Sequence, residues 1–175
     1  MREIKGLLVT HKRAELGDLE RLCAPSAEEI RERLTSEADE AYVLQTCNRA
    51  EFYVSGASRS VLEELADELE VREGTGRYVG HTEAVRHLMR LASGLESMVV
   101  GEDEILGQIR DAYHEASDED ALDGTLDTAV LKALHVGESA RDETAINEGN
   151  ASMGSAAVET ARENLGSLRG VKVVV

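Results

Sequence analysis

The residues with the clearest chemical potential surround Cys47, one of two cysteines in this 175-residue chain. They form the segment Thr46-Cys-Asn-Arg-Ala-Glu51, with Arg49 two positions after the thiol. The nucleophilic form of cysteine is the thiolate, which a nearby cation favours. The segment also falls between two strand-like runs, so a turn there would expose the sulfur. The pattern indicates a nucleophile, while a second interpretation makes Cys47 a small packing residue beside an arginine.

The charge balance of the chain is strongly acidic. It has 35 Asp and Glu against 19 Lys and Arg, a formal net charge of −16. Carboxylates scattered over helix faces are typical of a surface adapted to high salt, where self-repulsion is screened. The charge argues against a nucleic-acid ligand, because phosphate binding needs Lys and Arg, and the sequence offers no recognisable basic stripe.

Composition also indicates the number of domains and the cellular compartment. With 42% hydrophobic residues, the chain suits one medium domain, or one domain and part of another. Two cysteines at dissimilar positions, Cys23 and Cys47, predict neither a metal motif nor a disulfide framework, which favours a reducing interior. No run approaches the roughly 18 apolar residues of a membrane span, and the start lacks a secretory leader. We therefore expect a soluble, cytoplasmic protein.

Hydrophobic periodicity predicts a βαββαβ order for residues 1–80, which fits a ferredoxin-like α+β layer. Ser26 and Glu29 are spaced as a capping box for the second helix. Cys47–Ala50 is the predicted turn between the second and third strands. The predicted strands are residues 3–10, 41–46, 51–55 and 77–80, and the predicted helices are residues 14–23, a segment beginning at Ser26, and residues 60–69.

The remainder of the chain is predicted to be mainly helical. Residues 81–148 form a helical part, with Thr82 as the predicted cap of a helix that runs to Ser93. Residues 149–175 are interpreted as a linker helix and a first strand, with residues 168–175 (LRGVKVVV) forming the helix exit followed by the strand. Because a lone apolar strand cannot bury both of its faces, we expect it to begin a truncated α/β nucleotide-binding domain. Further helices are predicted around residues 105–113 and at 126–140 and 152–165.

Three segments together carry a family resemblance. The first is residues 46–51 (TCNRAE). The second is the long run from His87 to Tyr113 (HLMRLASGLESMVVGEDEILGQIRDAY), and the third is Arg141–Ile146 (RDETAI) ahead of a helix start that contains Gly and Ser. They occur in the expected order along nearly the whole chain, and the second is highly specific. On these motifs the chain resembles the glutamyl-tRNA reductase family.

The resemblance implies an activity and its partners. The family reduces the glutamyl ester of glutamyl-tRNA(Glu) to glutamate-1-semialdehyde with NADPH, through a cysteine thioester, at the start of tetrapyrrole (porphyrin) biosynthesis. A chain ending as this one does would contain only the acyl-transfer half. The NADPH site would lie in a missing downstream domain, and a homodimer would form through a missing C-terminal domain. Contact with the next enzyme of the pathway is left open.

The same resemblance assigns the expected site residues. Cys47 matches the family's nucleophile, and His87 matches the histidine beside the thiol, where it acts either as a general base or as an orienting group. The expected substrate-binding residues are Thr46, Asn48, Arg49, Ser97, Glu102, Asp103, Glu104 and Gln108.

Three of these assignments carry an alternative role or a departure from the family pattern. Arg49 would pair with the side-chain carboxylate of the substrate, since its fork of donors suits a carboxylate, while a surface ion pair with Glu51 is the alternative. Asp103 stands where the family usually has Pro, and Glu104 where it usually has Gln. An added carboxylate should repel an anionic substrate unless a cation compensates.

Two further functions stay open beside the reductase. One is a non-catalytic tRNA-binding module on the same fold, which the joint presence of Cys47, Arg49 and His87 disfavours. The other is a thiol-dependent ester hydrolase, which would turn over fully without a nucleotide domain. Boundary or core packing, without function, is the prediction for Cys23, His11, His81, His114 and His135.

Overall fold

A four-stranded antiparallel sheet forms the centre of the chain. In the computed structural model, which describes residues 2–147, 153–170 and 172, the strand order is β2-β3-β1-β4, and each neighbouring pair is antiparallel. With the observed element order this is the ferredoxin-like arrangement, so the predicted fold class is confirmed. The strands are β1 (Ile4–Thr10), β2 (Glu40–Thr46), β3 (Arg49–Ser55) and β4 (Gly76–Val79).

Helices follow the predicted order with small shifts of their ends. The capping box of the second helix is present, because the Ser26 hydroxyl accepts from the Glu29 amide at 3.1 Å and the Glu29 carboxylate accepts from the Ser26 amide at 2.8 Å. None of the described helices is long and apolar enough to cross a bilayer. The helices are α1 (Leu16–Leu22), α2 (Ala27–Thr35), α3 (Ser60–Glu68), α4 (His81–Ala92), α5 (Glu104–Asp118), α6 (Thr125–Glu143) and α7 (Met153–Leu165).

Two local predictions are wrong. The β2–β3 turn is shorter than the predicted Cys47–Ala50, because Thr46 already pairs with Arg49 and only two residues remain between the strands. Thr82 does not cap α4, which begins at His81 directly after Gly80. The strand runs into the helix without a linker there, and the Gly80 carbonyl accepts the first helical hydrogen bond. Of residues 168–175, where a helix exit and a strand were predicted, residues 171 and 173–175 lie outside the described residues, and Arg169 and Gly170 form a turn.

Both faces of the sheet are covered by helices. Alternate residues of each strand point to opposite faces, and the buried apolar residues accordingly form two clusters. One cluster, with Leu7, Val43 and Phe52, packs with residues of α1, α2 and α3. The other, with Leu8 and Tyr53, packs with residues of α4, α5 and α6. A side chain on the second face of β3 is therefore buried under the helical part of the chain.

Close contact between α4 and α6 leads to a prediction on stability. A Cβ added at Gly137 would lie 2.6 Å from the Ala92 carbonyl oxygen, whereas one added at Gly107 of α5 would meet nothing within 4 Å. We expect Gly137→Ala to lower the free energy of unfolding by about 1–3 kcal/mol through overpacking. Gly107→Ala should raise it by up to about 1 kcal/mol through helix propensity. Urea unfolding of both variants checks this, and equal effects would contradict the close contact.

Candidate active site

The thiol of Cys47 lies at the tip of the β2–β3 hairpin. Cys47 and Asn48 are the two turn residues, and the Asn48 amide donates to the Thr46 hydroxyl at 3.2 Å. Cys47 is exposed and unbonded to another cysteine. Its side chain lines a cavity of about 320 Å³, mainly apolar, which also includes Leu16 and Cys23. The interpretation of Cys47 as a buried packing residue therefore does not hold.

Cys23 shares that cavity but is half-buried. Its thiol lies 3.8 Å from the Thr46 carbonyl oxygen and packs against the core cluster on the α1–α3 face of the sheet. Burial, and to a smaller extent the nearby Cys47, raises the pKa of the Cys23 thiol. These surroundings suit the packing role predicted for Cys23 and leave Cys47 as the more accessible thiol.

A buried charged network lies directly behind the turn. Arg49, Glu51 and Tyr53 alternate along β3 and so share the face covered by α4. Arg49 and Glu51 form an ion pair at 2.9 Å, with side chains 3% and 0% exposed. The Tyr53 hydroxyl donates to Glu51 at 2.6 Å, and His87 Nε2 of α4 lies 3.0 and 3.1 Å from the two Glu51 carboxylate oxygens. The ion pair of Arg49 with Glu51, which was the alternative to substrate binding, is present but buried instead of lying at the surface.

The network fixes the proton on the ring of His87. Burial would raise the pKa of Glu51, but the hydrogen bond and charge of His87, the charge of Arg49 and the Tyr53 hydroxyl lower it to about 2. An ionised carboxylate only accepts hydrogen bonds, so His87 Nε2 carries a proton and donates it to Glu51. In the neutral ring the free lone pair is then on Nδ1, which is the nitrogen left to act as a base.

His87 is not hydrogen-bonded to the thiol. Among the described residues no hydrogen bond joins Cys47 Sγ to His87, whose Nε2 is engaged by Glu51. His87 instead lines a second cavity, of about 290 Å³, together with Arg49. The structure therefore brings Cys47 and His87 to the same end of the sheet without a described hydrogen bond between them, and the role of His87 as a base or an orienting group stays a prediction.

This second cavity is lined by cations. It contains four basic side chains and a single carboxylate, that of Glu96. Hydrogen bonds from Lys12 and Arg90 outweigh burial and lower the pKa of Glu96 to about 2, so its charge is present at neutral pH. The basic residues come from three distant parts of the sequence, which is why no basic stripe was visible there. The cavity is lined by Leu8, Thr10, Lys12, Arg13, Arg49, Arg77, His87 and Glu96.

A loop between α4 and α5 borders this cavity and carries Ser97. Its ends meet at Gly94 and Gly101, where the Gly101 amide donates to the Gly94 carbonyl at 3.1 Å. The loop is joined to the hairpin because Arg49 donates to the Glu96 carbonyl at 2.8 Å. Ser97 is 8% exposed, and its hydroxyl has no hydrogen-bond partner among the described residues. The hydroxyl is thus buried and unpartnered beside the cavity, and Ser97 is not among the residues that line it.

The predicted substrate-binding residues Glu102 and Asp103 are held by Arg141 and not by Arg49. Arg141 of α6 donates to the carbonyl groups of Ala92, Gly137 and Glu102, and its Nε lies 2.8 Å from the Asp103 carboxylate. Sequence reasoning used Arg141 only as a family marker and missed these contacts, of which the three outside α6 join residues 38 to 49 positions apart.

The two predicted residues on α5 contact each other. The Gln108 amide donates to the Glu104 carboxylate at 3.1 Å. Glu104 is exposed and Gln108 is intermediate. No hydrogen bond that the structure describes connects either residue to the hairpin at Cys47, so they are not brought into the network of Arg49, Glu51 and His87.

The described residues offer no site for a metal or a dinucleotide. No group of three His, Cys, Asp or Glu side chains among them is placed to hold a metal ion. No described strand passes into a helix through the glycine-rich turn that binds a dinucleotide pyrophosphate; β4 enters α4 through Gly80 alone. These residues do not fit NADPH, and no hydride step is assigned to them.

Comparison with known proteins agrees with the geometry. The family model of the glutamyl-tRNAGlu reductase N-terminal domain matches residues 7–144. Glutamyl-tRNA reductase from Natronomonas pharaonis is 47% identical over 176 residues, covering 98% of this chain and 39% of that protein. The counterpart from Methanothrix thermoacetophila is 43% identical over 178 residues, covering 100% and 43%.

A solved structure gives the same result. Glutamyl-tRNA reductase from Methanopyrus kandleri superposes with a TM-score of 0.80 at 45% identity, covering 96% of this chain and 41% of that one. The chain thus spans about two fifths of the length of these relatives. Because the family model matches most of its residues, the chain belongs to the glutamyl-tRNA reductase family and corresponds to its N-terminal domain.

Proposed function

We propose that this chain carries out the acyl-transfer half of glutamyl-tRNA reduction. The Cys47 thiolate attacks the ester carbonyl carbon of glutamyl-tRNA, the sulfur–carbon bond forms, and the ester carbon–oxygen bond breaks. The proton lost from the thiol goes to the departing ribose oxygen, and glutamate remains as a thioester. One observation carries the proposal: Cys47 is exposed at a tight turn, immediately before the residues that reach the cation-lined cavity.

The surrounding residues suit a glutamyl group. A guanidinium has five N–H donors, and Arg49 uses one on the Glu51 carboxylate and one on the Glu96 carbonyl. Its remaining donors are able to bind the side-chain carboxylate of glutamate at the buried end of the cation-lined cavity. The buried, unpartnered Ser97 hydroxyl adds a neutral hydrogen bond when its side chain turns towards the cavity. His87 Nδ1 would accept or return the proton, either directly or through water.

The reduction itself belongs to the whole protein. NADPH as reductant, formation of glutamate-1-semialdehyde and a homodimer are proposed for a longer chain, since the relatives are more than twice as long. A cytoplasmic location is proposed with them, because both cysteines are unpaired and free thiols persist in reducing compartments.

Intact-protein mass spectrometry tests the acyl transfer. In the Cys23→Ser variant Cys47 is the only thiol, so any thioester is localised. After incubation with glutamyl-tRNA in high-salt buffer, we expect a mass increase of one glutamyl group that neutral hydroxylamine removes. A folded protein that gains no mass and releases no glutamate would contradict the proposal. Steady release of free glutamate without an adduct would favour a thiol hydrolase.

A further inference from the structure

The cation-lined cavity has more basic side chains than a glutamyl carboxylate requires. The chain has a net charge of −16 and only 19 Lys and Arg, yet four of them line this one cavity beside a single carboxylate. They arrive from the turn after β1, from β3 and from β4. Carboxylates of the chain pair with three of the four cations, and Arg13 is left to bind an external anion beside them.

Burial divides these cations into a floor and a rim. The Arg49 side chain is 3% exposed, whereas the side chains of Lys12 and Arg77 are 52% and 37% exposed. Arg13 is exposed as well. The floor contributes one guanidinium, suited to the carboxylate of the glutamyl group. The rim contributes three cations that face solvent, where a larger and more exposed anion would lie.

The rim is only partly neutralised from within the chain. Lys12 lies 2.6 Å from Glu96, and Arg77 pairs with Glu83. Arg13 has no ion pair or side-chain hydrogen bond to any residue that the structure describes. Its guanidinium is therefore free to bind an external anion without breaking an existing contact, and a planar fork of donors matches two phosphate oxygens.

The rim is also fixed in position relative to the nucleophile. The backbone amide of His11 donates to the Asn48 carbonyl at 2.9 Å, which joins the turn carrying Lys12 and Arg13 to the turn carrying Cys47. The ester that Cys47 attacks is on the terminal ribose of the tRNA, and the 5′ phosphate of that nucleotide is attached to the same sugar. A phosphate must therefore lie near the thiol whenever the ester does.

We propose that Lys12, Arg13 and Arg77 form the binding site for the 3′-terminal phosphodiester of the aminoacyl-tRNA. The proposal rests on the proposed function and names the part of the substrate that these residues recognise. It also reduces the conflict between an acidic protein and a polyanionic substrate, because four of the 19 basic residues line one cavity at the end of the sheet where the substrate reacts. Contacts to phosphate supply affinity without reading base identity.

The test compares substrates with and without the phosphate in Arg13→Gln. With glutamyl-tRNA, we expect adduct formation at Cys47 to slow about tenfold, as loss of one charged hydrogen bond predicts. With 2′(3′)-O-glutamyladenosine, which has no phosphate, the rate should stay within about twofold of the wild type. The slope of the logarithm of the rate against that of salt concentration should fall by roughly 0.7 for the tRNA.

Lys132→Gln is the matched control. Lys132 is an exposed cation on α6 that lines a different cavity, so its replacement should change neither rate. Equal slowing of both substrates by Arg13→Gln, or no slowing of either, would overturn the phosphate site while the wild type still forms the adduct. Failure of the proposed function gives a different result, because the wild type would then form no adduct with either substrate.

Discussion

Replacing Cys47 by serine is expected to abolish the glutamyl adduct. A hydroxyl is a much weaker nucleophile than a thiolate at neutral pH, and removal of the nucleophile from enzymes with covalent intermediates costs about three orders of magnitude or more. The variant should keep its fold, because Cys47 is exposed at the hairpin tip and exposed substitutions change stability by about 0.5 kcal/mol or less. Quenched time points with glutamyl-tRNA, analysed by mass spectrometry, measure the loss.

Cys23→Ser supplies the matched control for this loss. It removes the other thiol of the same cavity and should leave adduct formation in place. If Cys47→Ser forms the adduct at the wild-type rate, Cys47 is not the nucleophile. Loss in both variants would indicate that the cavity, rather than one thiol, is required.

Glu51→Gln is expected to lower the free energy of unfolding by about 3–5 kcal/mol at neutral pH, as breaking a buried ion pair does. The substitution removes the anion that Arg49, His87 and Tyr53 all contact. It leaves a buried guanidinium without its partner, and an amide presents an N–H where His87 Nε2 needs an acceptor. Adduct formation should slow as well, because the ring of His87 is no longer held. Urea unfolding followed by circular dichroism gives the stability difference.

The stability difference between wild type and Glu51→Gln should become smaller as the pH falls. The pKa of Glu51 is lowered from 4.5 to about 2 in the folded protein, so the folded state favours the ionised form. Its contribution is fully present above about 4.5 and is lost as pH falls towards 2. Wild type and Glu51→Gln should therefore converge in stability over that interval, and a gap that widens on acidification would contradict the network.

Two further variants serve as a control and as a milder change for the Glu51→Gln stability measurement. Glu115→Gln removes a carboxylate that is 60% exposed and lies 3.6 Å from Arg31, so it should change stability by about 1 kcal/mol or less. Tyr53→Phe removes only the 2.6 Å hydrogen bond to Glu51 and should cost about 1.5–3 kcal/mol. Tyr53→Phe keeps the network testable if Glu51→Gln does not fold.

Local patterns along the chain were sufficient to predict most of the helices and strands. Period-two strands, helical periodicity and the capping box at Ser26 involve residues close in sequence, and the structure contains them. The hairpin at Cys47 was located, although its exact length was not. Hydrophobic pattern says where two strands lie, whereas the residue that begins β3 depends on register, which the pairing of Thr46 with Arg49 sets.

Contacts between distant residues could not be read from the sequence. The Glu51–His87 hydrogen bond joins residues 36 positions apart, and the Arg141 contacts join residues up to 49 apart. The same limit applies to Glu40, a buried carboxylate of β2 that accepts hydrogen bonds from the amides of Gly124, Leu126 and Asp127 at the start of α6. Periodicity predicts that each element exists, but side-chain partners of this kind depend on how the elements pack.

The contact between Gly94 and Gly101 makes the fold largely independent of the length of the loop between them. Both glycines have positive φ, and a Cβ on Gly94 would lie 2.9 Å from the Gly101 backbone, so the loop is closed at its base by the backbone itself. Closing a longer loop at such a base costs little, about 0.6 kcal/mol for each doubling of length. Residues 95–100 therefore form a loop beside the cation-lined cavity whose length is not fixed by the rest of the fold. Apart from Glu96, which contacts Lys12, Arg49 and Arg90, these residues are expected to tolerate changes of length and side chain while the sheet and α5 stay unchanged.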